Sequence, residues 1–334
     1  MKVFRAVIFA IGLATLGLLL WKLDAGEVLH LIGRVGWLGF AVILLQECVP
    51  HGFNALGWRY AIPERHAPLF RFSELYRHRI QGDGVNYLTP SATIAGEYTR
   101  ALLIDNAVPS EVRLGSVVTA KCTQSLAQVL VGVVGTGLLL PGSAPALARY
   151  DGLVRWGAFA FTVLLAAAAG GFYALARRPE GPRADDGRHW LKAVPGQVRD
   201  FYLEHPLRWW ASVGFFGLGY VWTAFEVWWI CRCLGVDFGL RMAVLIEVLS
   251  NVTDMLFFMV PAKVGTQEAG KTGILHVLGL GAQTGLALGI IRHIRELIWA
   301  ALGMALYTYE LRRNPDATLK REAASPAVPV ASSN

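Results

Sequence analysis

Apolar residues collect in runs at about 4–21, 35–56, 115–140, 152–176, 208–231, 238–260, 272–291 and 293–309, parted by short polar or basic stretches. Each run approaches the ~20 residues that a helix needs to cross about 30 Å of hydrocarbon. A less regular apolar piece at about 86–104, interrupted by Pro90, adds a ninth segment. The pattern predicts an all-α, polytopic helical bundle embedded in a membrane. In the basic connection 177–207, Leu191, Val194, Val198 and Phe201 recur at helical spacing beside Trp190, which predicts an amphipathic helix lying at the interface. The last residues, 312–334, carry charge, Ala, Ser and Pro without periodicity and are expected to form a disordered tail.

Composition agrees with the pattern: 54% of residues are hydrophobic and 16% charged, which excludes an ordinary soluble domain. The net charge of +7 suggests nucleic acid until its distribution is followed. Arg59, Arg65, Arg71, Arg77 and Arg79 crowd one connection, Arg177, Arg178, Arg183, Arg188, Lys192 and Arg199 another, and Arg312, Arg313, Lys320 and Arg321 the tail. The alternate connections near 22–34, 141–151 and 232–241 are poor in basic residues, so the positive-inside rule puts both termini in the cytoplasm and argues against a nucleic-acid partner. Lys2 and Arg5 precede the first run, but Trp21-Lys22-Leu23-Asp24 offers no small-residue cleavage site, and an uncleaved first helix is expected. The four cysteines form neither a disulfide framework nor a metal-ligand spacing. Buried thiols are expected, and no cofactor or metal is assigned.

A four-point pattern then appears twice: Asp83, Pro90, Glu97 and Arg100 recur, each 171 residues later, as Asp254, Pro261, Glu268 and Lys271. The shared offset predicts two repeats, about 1–140 and 152–311, within one membrane domain of 1–311. Counting crossings from a cytoplasmic N-terminus gives the halves opposite orientation, each with a broken or re-entrant helix pair. Such inverted repeats bring their broken segments together near the midplane. The alternative, in which 238–260 and 272–291 are full spans, keeps the end points and moves the second motif to a cytoplasmic turn.

Chemistry concentrates at the breaks. Helices that restart after Pro90 and Pro261 would present free N–H groups and a positive dipole end, and Arg100, Lys263 and Lys271 lie close enough to join them in holding a phosphate. Glu97 and Glu268 follow Gly96 and Gly265, where the backbone permits close approach, and suit an amine-bearing headgroup or proton coupling. The structural alternative is an ion pair with the base three positions on, Glu97 with Arg100 and Glu268 with Lys271. Polar stripes support a cavity: Lys121, Gln124, Ser125 and Gln128 share one helix face, Glu247, Ser250, Asn251 and Asp254 another, and Tyr220, Thr223 and Glu226 recur at three-residue spacing. Asn86, Arg292, Arg295 and Glu296 complete the candidate substrate-binding set, and His293 is suited to relaying protons. His78 and Asp83 have the His-x4-Asp spacing of glycerolipid acyltransferases, with no companion motif, so no catalytic residue is assigned.

Gly57-Trp58-Arg59, the Pro90 to Arg100 segment, Pro261 with Gly265 and Glu268, and Arg292 to Glu296 followed by Trp299 and Gly303 together resemble the flippase-like membrane family named for the transmembrane half of lysylphosphatidylglycerol synthases. The Arg-His-Ile-Arg-Glu-Leu run resembles its hopanoid-biosynthesis-associated branch most. The resemblance spans about residues 1–310 and departs at Ala95-Gly96-Glu97, where family members often have two glycines before the Glu. It implies a multi-pass protein of the bacterial cytoplasmic (inner) membrane, the translocating half without the aminoacyl-transfer domain, with the two Pro/Glu segments as its central site. The expected function is movement of an amine- or phosphate-bearing lipid, or a hopanoid, between leaflets. Its partners would be membrane lipids, with proton coupling and lipid-biosynthesis enzymes as further candidates. A lipid-modifying enzyme using His78 and Asp83, or a non-catalytic partner of a lipid-synthesis complex, is the alternative.

Overall fold

The computed structural model describes residues 2–89, 94–105, 108–139, 198–256 and 263–313. The expected span at 152–176, the residues Leu191 and Val194 of the expected amphipathic helix, and most of the tail fall outside them. Among the described residues every regular element is helical: α1 (Lys2–Lys22), α2 (Ala25–Arg34), α3 (Gly36–Gln46), α4 (Cys48–Tyr60), a 3-10 turn (Glu64–Leu69), α5 (Phe72–Leu88), α6 (Ile94–Leu103), α7 (Ser110–Leu139), α8 (Pro206–Cys233), α9 (Leu240–Leu256), α10 (Thr266–Val277) and α11 (Ala282–Arg313). Val198 and Phe201, from the expected amphipathic stretch, are in helical backbone and buried.

By length and apolar composition, Val112–Gly135 within α7 and the whole of α8 are able to cross a bilayer. Helix α2 meets Gly36–Tyr60 at a 76° bend, and the pair makes a third candidate span. The 22–34 connection, expected as an outer loop, is therefore largely helix α2. Asp24 starts it by accepting the Gly26 N–H at 2.9 Å. The basic 59–85 connection is also more structured than expected, because α5 occupies most of it and buries Leu75, His78, Arg79, Ile80 and Gln81.

The C-terminal runs are redrawn as well. The expected spans 272–291 and 293–309 become the short α10 and one unbroken 32-residue α11. The break falls at Gly279, whose φ of 75° ends α10, with Leu280 N–H bonded to Leu275 O and Gly279 N–H to His276 O. This pair of bonds is the Schellman stop, which needs a left-handed residue just past the helix. Arg292 and His293 thus lie inside a helix, where the hydropathy pattern put a boundary.

Two apolar clusters organise the interior. One gathers Ile43, Val227, Ile230, Ile246, Leu275 and Leu288 from α3 and α8 through α11. The other gathers Trp58, Leu75, Ile104, Val117 and Phe216 from α4, α5, α7 and α8 with the loop after α6. Along α3–α4, Glu47 and His51 fall between Ile43 of the first cluster and Ala55 of the second. Along α8, Glu226 lies between Ala224 and Val227 of the first cluster, with Phe216 of the second further back. These ionisable residues are therefore set within apolar packing. Helix α5 crosses α11 where Gly84 meets Gly303 with no room for a methyl group at either, a small-residue contact of the kind that holds membrane helices together.

Candidate functional site

The first break lies between α5 and α6. Pro90 itself falls outside the described residues, but the groups on either side of it are placed. Asn86, near the end of α5, accepts the Gly96 N–H through Oδ1 at 2.7 Å and so ties α6 back onto α5. Gly96 is obligatory there, because a Cβ would overlap the Gly82 carbonyl and the Asn86 amide. One turn on, Arg100 is 2% exposed and holds two carboxylates: Nη1 donates to Glu97 Oε2 at 2.5 Å and Nη2 to Asp83 Oδ1. Arg79 Nε donates to Asp83 Oδ2 at 3.1 Å, and Lys121 Nζ reaches Glu97 Oε1 at 3.4 Å. The candidates Asn86, Gly96, Glu97, Arg100 and Lys121 are thus brought together, and the expected Glu97–Arg100 pair is formed.

The second break is built differently. Pro261 falls outside the described residues. Helix α10 starts only at Thr266, with Gly265 as its N-cap, so Pro261 is not its first helical position. Its free end is not left open to an anion, either. Glu268 Oε2 folds back to accept the Gly265 N–H at 2.8 Å, filling with its own carboxylate the place where a ligand anion was expected. Glu268 Oε1 is hydrogen-bonded to His293 Nδ1 at 2.6 Å. The expected Glu268–Lys271 ion pair is absent, since the carboxylate is fully used. Lys271 is 1% exposed and forms no ion pair within 4 Å among the described residues. Asp254, Arg292, Glu296 and Glu247 act on it electrostatically. Asp254 pairs with Lys263 instead, at 3.2 Å.

Beside this break, α11 supplies two buried guanidinium groups. Arg292 clasps Glu247 through both terminal nitrogens, at 2.6 and 3.3 Å, and its Nε lies 3.2 Å from Glu226 Oε2. Arg295 binds Glu47, lies 3.1 Å from Glu226 Oε2, and reaches Glu296 at 3.3 Å; Gln267 Nε2 completes the contacts to Glu296, also at 3.3 Å. Glu226 is 1% exposed, yet neither of its oxygens accepts a hydrogen bond.

The two breaks are joined by His51, which sequence reading did not single out. Its Nδ1 lies 3.6 Å from Asp83 Oδ2 and its Nε2 3.9 Å from Glu47 Oε1, with the Trp299 ring 4.8 Å away. Glu47 and Arg79 were missed too. Glu47 and His51 are ionisable residues inside an apolar run, a signal that applies to them as fully as to Glu268. Arg79 was counted among loop charges and is buried in α5. Between α7, α8 and α9, Gln128, Tyr220 and Asn251 line a cavity of ≈ 10 Å³, room for about one water.

Other expectations are met unevenly. The α9 stripe is placed inward at Glu247 and Ser250, but Ser125 of the α7 stripe is exposed. The buried face of α7 runs instead through Ser116, Thr119, Ala120, Thr123 and Ala127. Cys231 is buried as expected, whereas Cys48 is exposed. His78 and Asp83 stand five residues apart on one helix, so roughly 140° separates their side chains. Asp83 is taken by Arg79 and Arg100, and the acyltransferase-like dyad is not assembled.

Long apolar helices surrounding a buried, broken-helix charge network define a helical integral membrane protein. The chain belongs to the family of the lysylphosphatidylglycerol synthase transmembrane region, whose model matches residues 5–303. Comparison with curated proteins and with solved structures gave no match.

Proposed function

We propose that this protein moves a polar lipid between the two leaflets of a bacterial cytoplasmic membrane, working as two inverted repeats with both termini in the cytoplasm. The observation that carries the reading is the continuous ionisable path from Lys121 and Glu97 through Asp83, His51 and Glu47 to the Arg292–Arg295 cluster. Charges at membrane depth are expensive, and a network linking both halves exceeds what holding two helices together requires. Element order supports a duplication: α5, α6 and α7 correspond, 171 residues on, to α9, α10 and α11 within a few residues. Membership of a lipid-associated membrane family supports the substrate class.

In this mechanism a headgroup enters between the halves while its tails stay in lipid. A phosphate meets Arg100 and Lys121 on one side and Lys271 on the other. An amine meets Glu97. Because Glu268 closes its own helix end, it acts by holding His293 and the start of α10 rather than by meeting the headgroup directly. Hopanoid-derived lipids enter as a candidate class through the Arg292–Leu297 run. Leaflet exchange in proteoliposomes of bacterial polar lipids, read with a membrane-impermeant amine label, tests the proposal. Protein-dependent exchange that disappears in the Glu97→Gln, Glu268→Gln double variant is expected; wild type indistinguishable from empty liposomes would overturn it for amine lipids.

A further inference from the structure

The charges of the two sites do not balance separately. Among the described residues, Arg79, Arg100 and Lys121 at the first break face Asp83 and Glu97, which leaves a surplus of one formal positive charge. Around the second, Glu47, Glu226, Glu247, Asp254, Glu268 and Glu296 face Lys263, Lys271, Arg292 and Arg295. Even with His293 protonated on Glu268, one negative charge is left over. The residues meet from every packed element: Glu47 at the α3–α4 break, Glu226 on α8, Glu247 and Asp254 on α9, Lys263, Glu268 and Lys271 at α10, Arg292 to Glu296 on α11, with the Tyr87 ring of α5 6.3 Å from His293.

We propose that the two sites are charge-coupled: an anionic headgroup held at Arg79, Arg100 and Lys121 draws one proton into the acidic cluster around Glu226. This rests on the lipid-handling function proposed above. In the empty protein the surplus of one site offsets the deficit of the other across His51. Lys121, 41% exposed, is the most accessible cation of the first site, while Arg79 and Arg100 are buried and Arg100 Nε has no hydrogen-bond partner. An anion there cancels the positive surplus. The acidic cluster then carries an uncompensated buried charge, which is unfavourable in a low-dielectric interior. Protonation removes it: a proton leaves water and adds to a carboxylate oxygen of the cluster, with no other bond changed.

The cluster is fitted to a proton. Glu226 Oε2 is held by the Arg292 and Arg295 guanidinium groups, while the buried Oε1 accepts no hydrogen bond and is the oxygen left for a proton. Among the described residues, no three acidic, His or Cys groups converge with the geometry to ligate a metal ion. His51 is the bridge, close to Asp83 on one side and Glu47 on the other, and its Nδ1 is unpartnered. A shift of under an ångström would turn both contacts into hydrogen bonds.

The test is proton counting on the purified full chain in weakly buffered detergent, titrated with short-chain phosphatidylglycerol and followed with a pH indicator. Uptake of about one proton per lipid bound is expected, and none with short-chain diacylglycerol, which lacks the anion. In Glu226→Gln, once its helix content and monodispersity match wild type, lipid should bind without uptake. If that variant does not fold, Glu47→Gln takes its place, and the wild-type stoichiometry decides by itself. Binding without proton uptake, or no binding of the anionic lipid, overturns the coupling. Leaflet exchange is read separately: exchange without proton uptake sinks the coupling and leaves transport standing, whereas uptake without exchange does the reverse.

Discussion

The residues flanking the two breaks match in type and spacing, yet the two regions use them differently. At the first, Arg100 reaches both Glu97 and Asp83, and the three form a closed ion triad. At the second, Lys271 stands at the matching position, but Glu268 has turned back to the Gly265 N–H and to His293, and Asp254 has gone to Lys263. A guanidinium presents five donors in a fixed plane and holds two carboxylates in set directions, whereas an ammonium has three rotatable donors and no such preset geometry, so exchanging Arg for Lys changes more than strength. One break is thus a closed clamp whose more exposed member is Lys121, and the other leaves a buried cation without an ion pair among the described residues, the cation that the proposed function assigns to the headgroup.

The comparison can be broken by mutation. The largest effect is expected where a buried pair loses one member. Arg292→Ala leaves Glu247 without its guanidinium partner and Glu226 with Arg295 alone, and should lower stability by about 3–5 kcal/mol, read as a large fall in the thermal midpoint in detergent. Arg100→Met should fall in the same range, because Asp83 and Glu97 both depend on it. Gly96→Ala comes next. Its Cβ has nowhere to go between α5 and α6, and a loss of about 1–3 kcal/mol is expected from the same melting assay. Asn86→Ala should cost a similar or smaller amount, about 1–3 kcal/mol, for an N–H left without its acceptor, and protection of the Gly96 amide against hydrogen exchange should drop. The smallest effect has the opposite sign. Gly273 on α10 faces open space, and Gly273→Ala should stabilise by up to about 1 kcal/mol, showing that the tolerance of glycine substitution differs between the two short helices.

Much of this was legible in the sequence. The apolar runs gave α1, α3–α4, α7, α8 and α9 within a few residues, because membrane helices must be both long and apolar. The Glu97–Arg100 contact followed from helical spacing alone, since neighbours three apart share a face. What was hidden depended on capping and on partners distant in sequence. Glu268 has the same spacing to its base, but a helix start competes for its carboxylate, and nothing local says that α10 begins at Thr266 rather than just after Pro261. Hydropathy put a boundary near Arg292 because charge interrupts an apolar run. The backbone puts it at Gly279, where a left-handed turn is cheap, and the Arg residues stay in helix because Glu47, Glu226 and Glu247 arrive from three other segments. Arg79 shows the converse: a basic residue that topology counting assigned to a loop is buried by Asp83, four positions along its own helix.

Lys271 is the buried cation that the proposed transport depends on most. Lys271→Met should lower the thermal midpoint by less than Arg292→Ala, because no ion pair within 4 Å among the described residues is lost although the surrounding carboxylates lose one cation. The same variant in proteoliposomes should lose protein-dependent leaflet exchange of anionic lipids. A folded Lys271→Met protein that exchanges lipid at the wild-type rate would contradict the claim that this buried cation serves the transported headgroup.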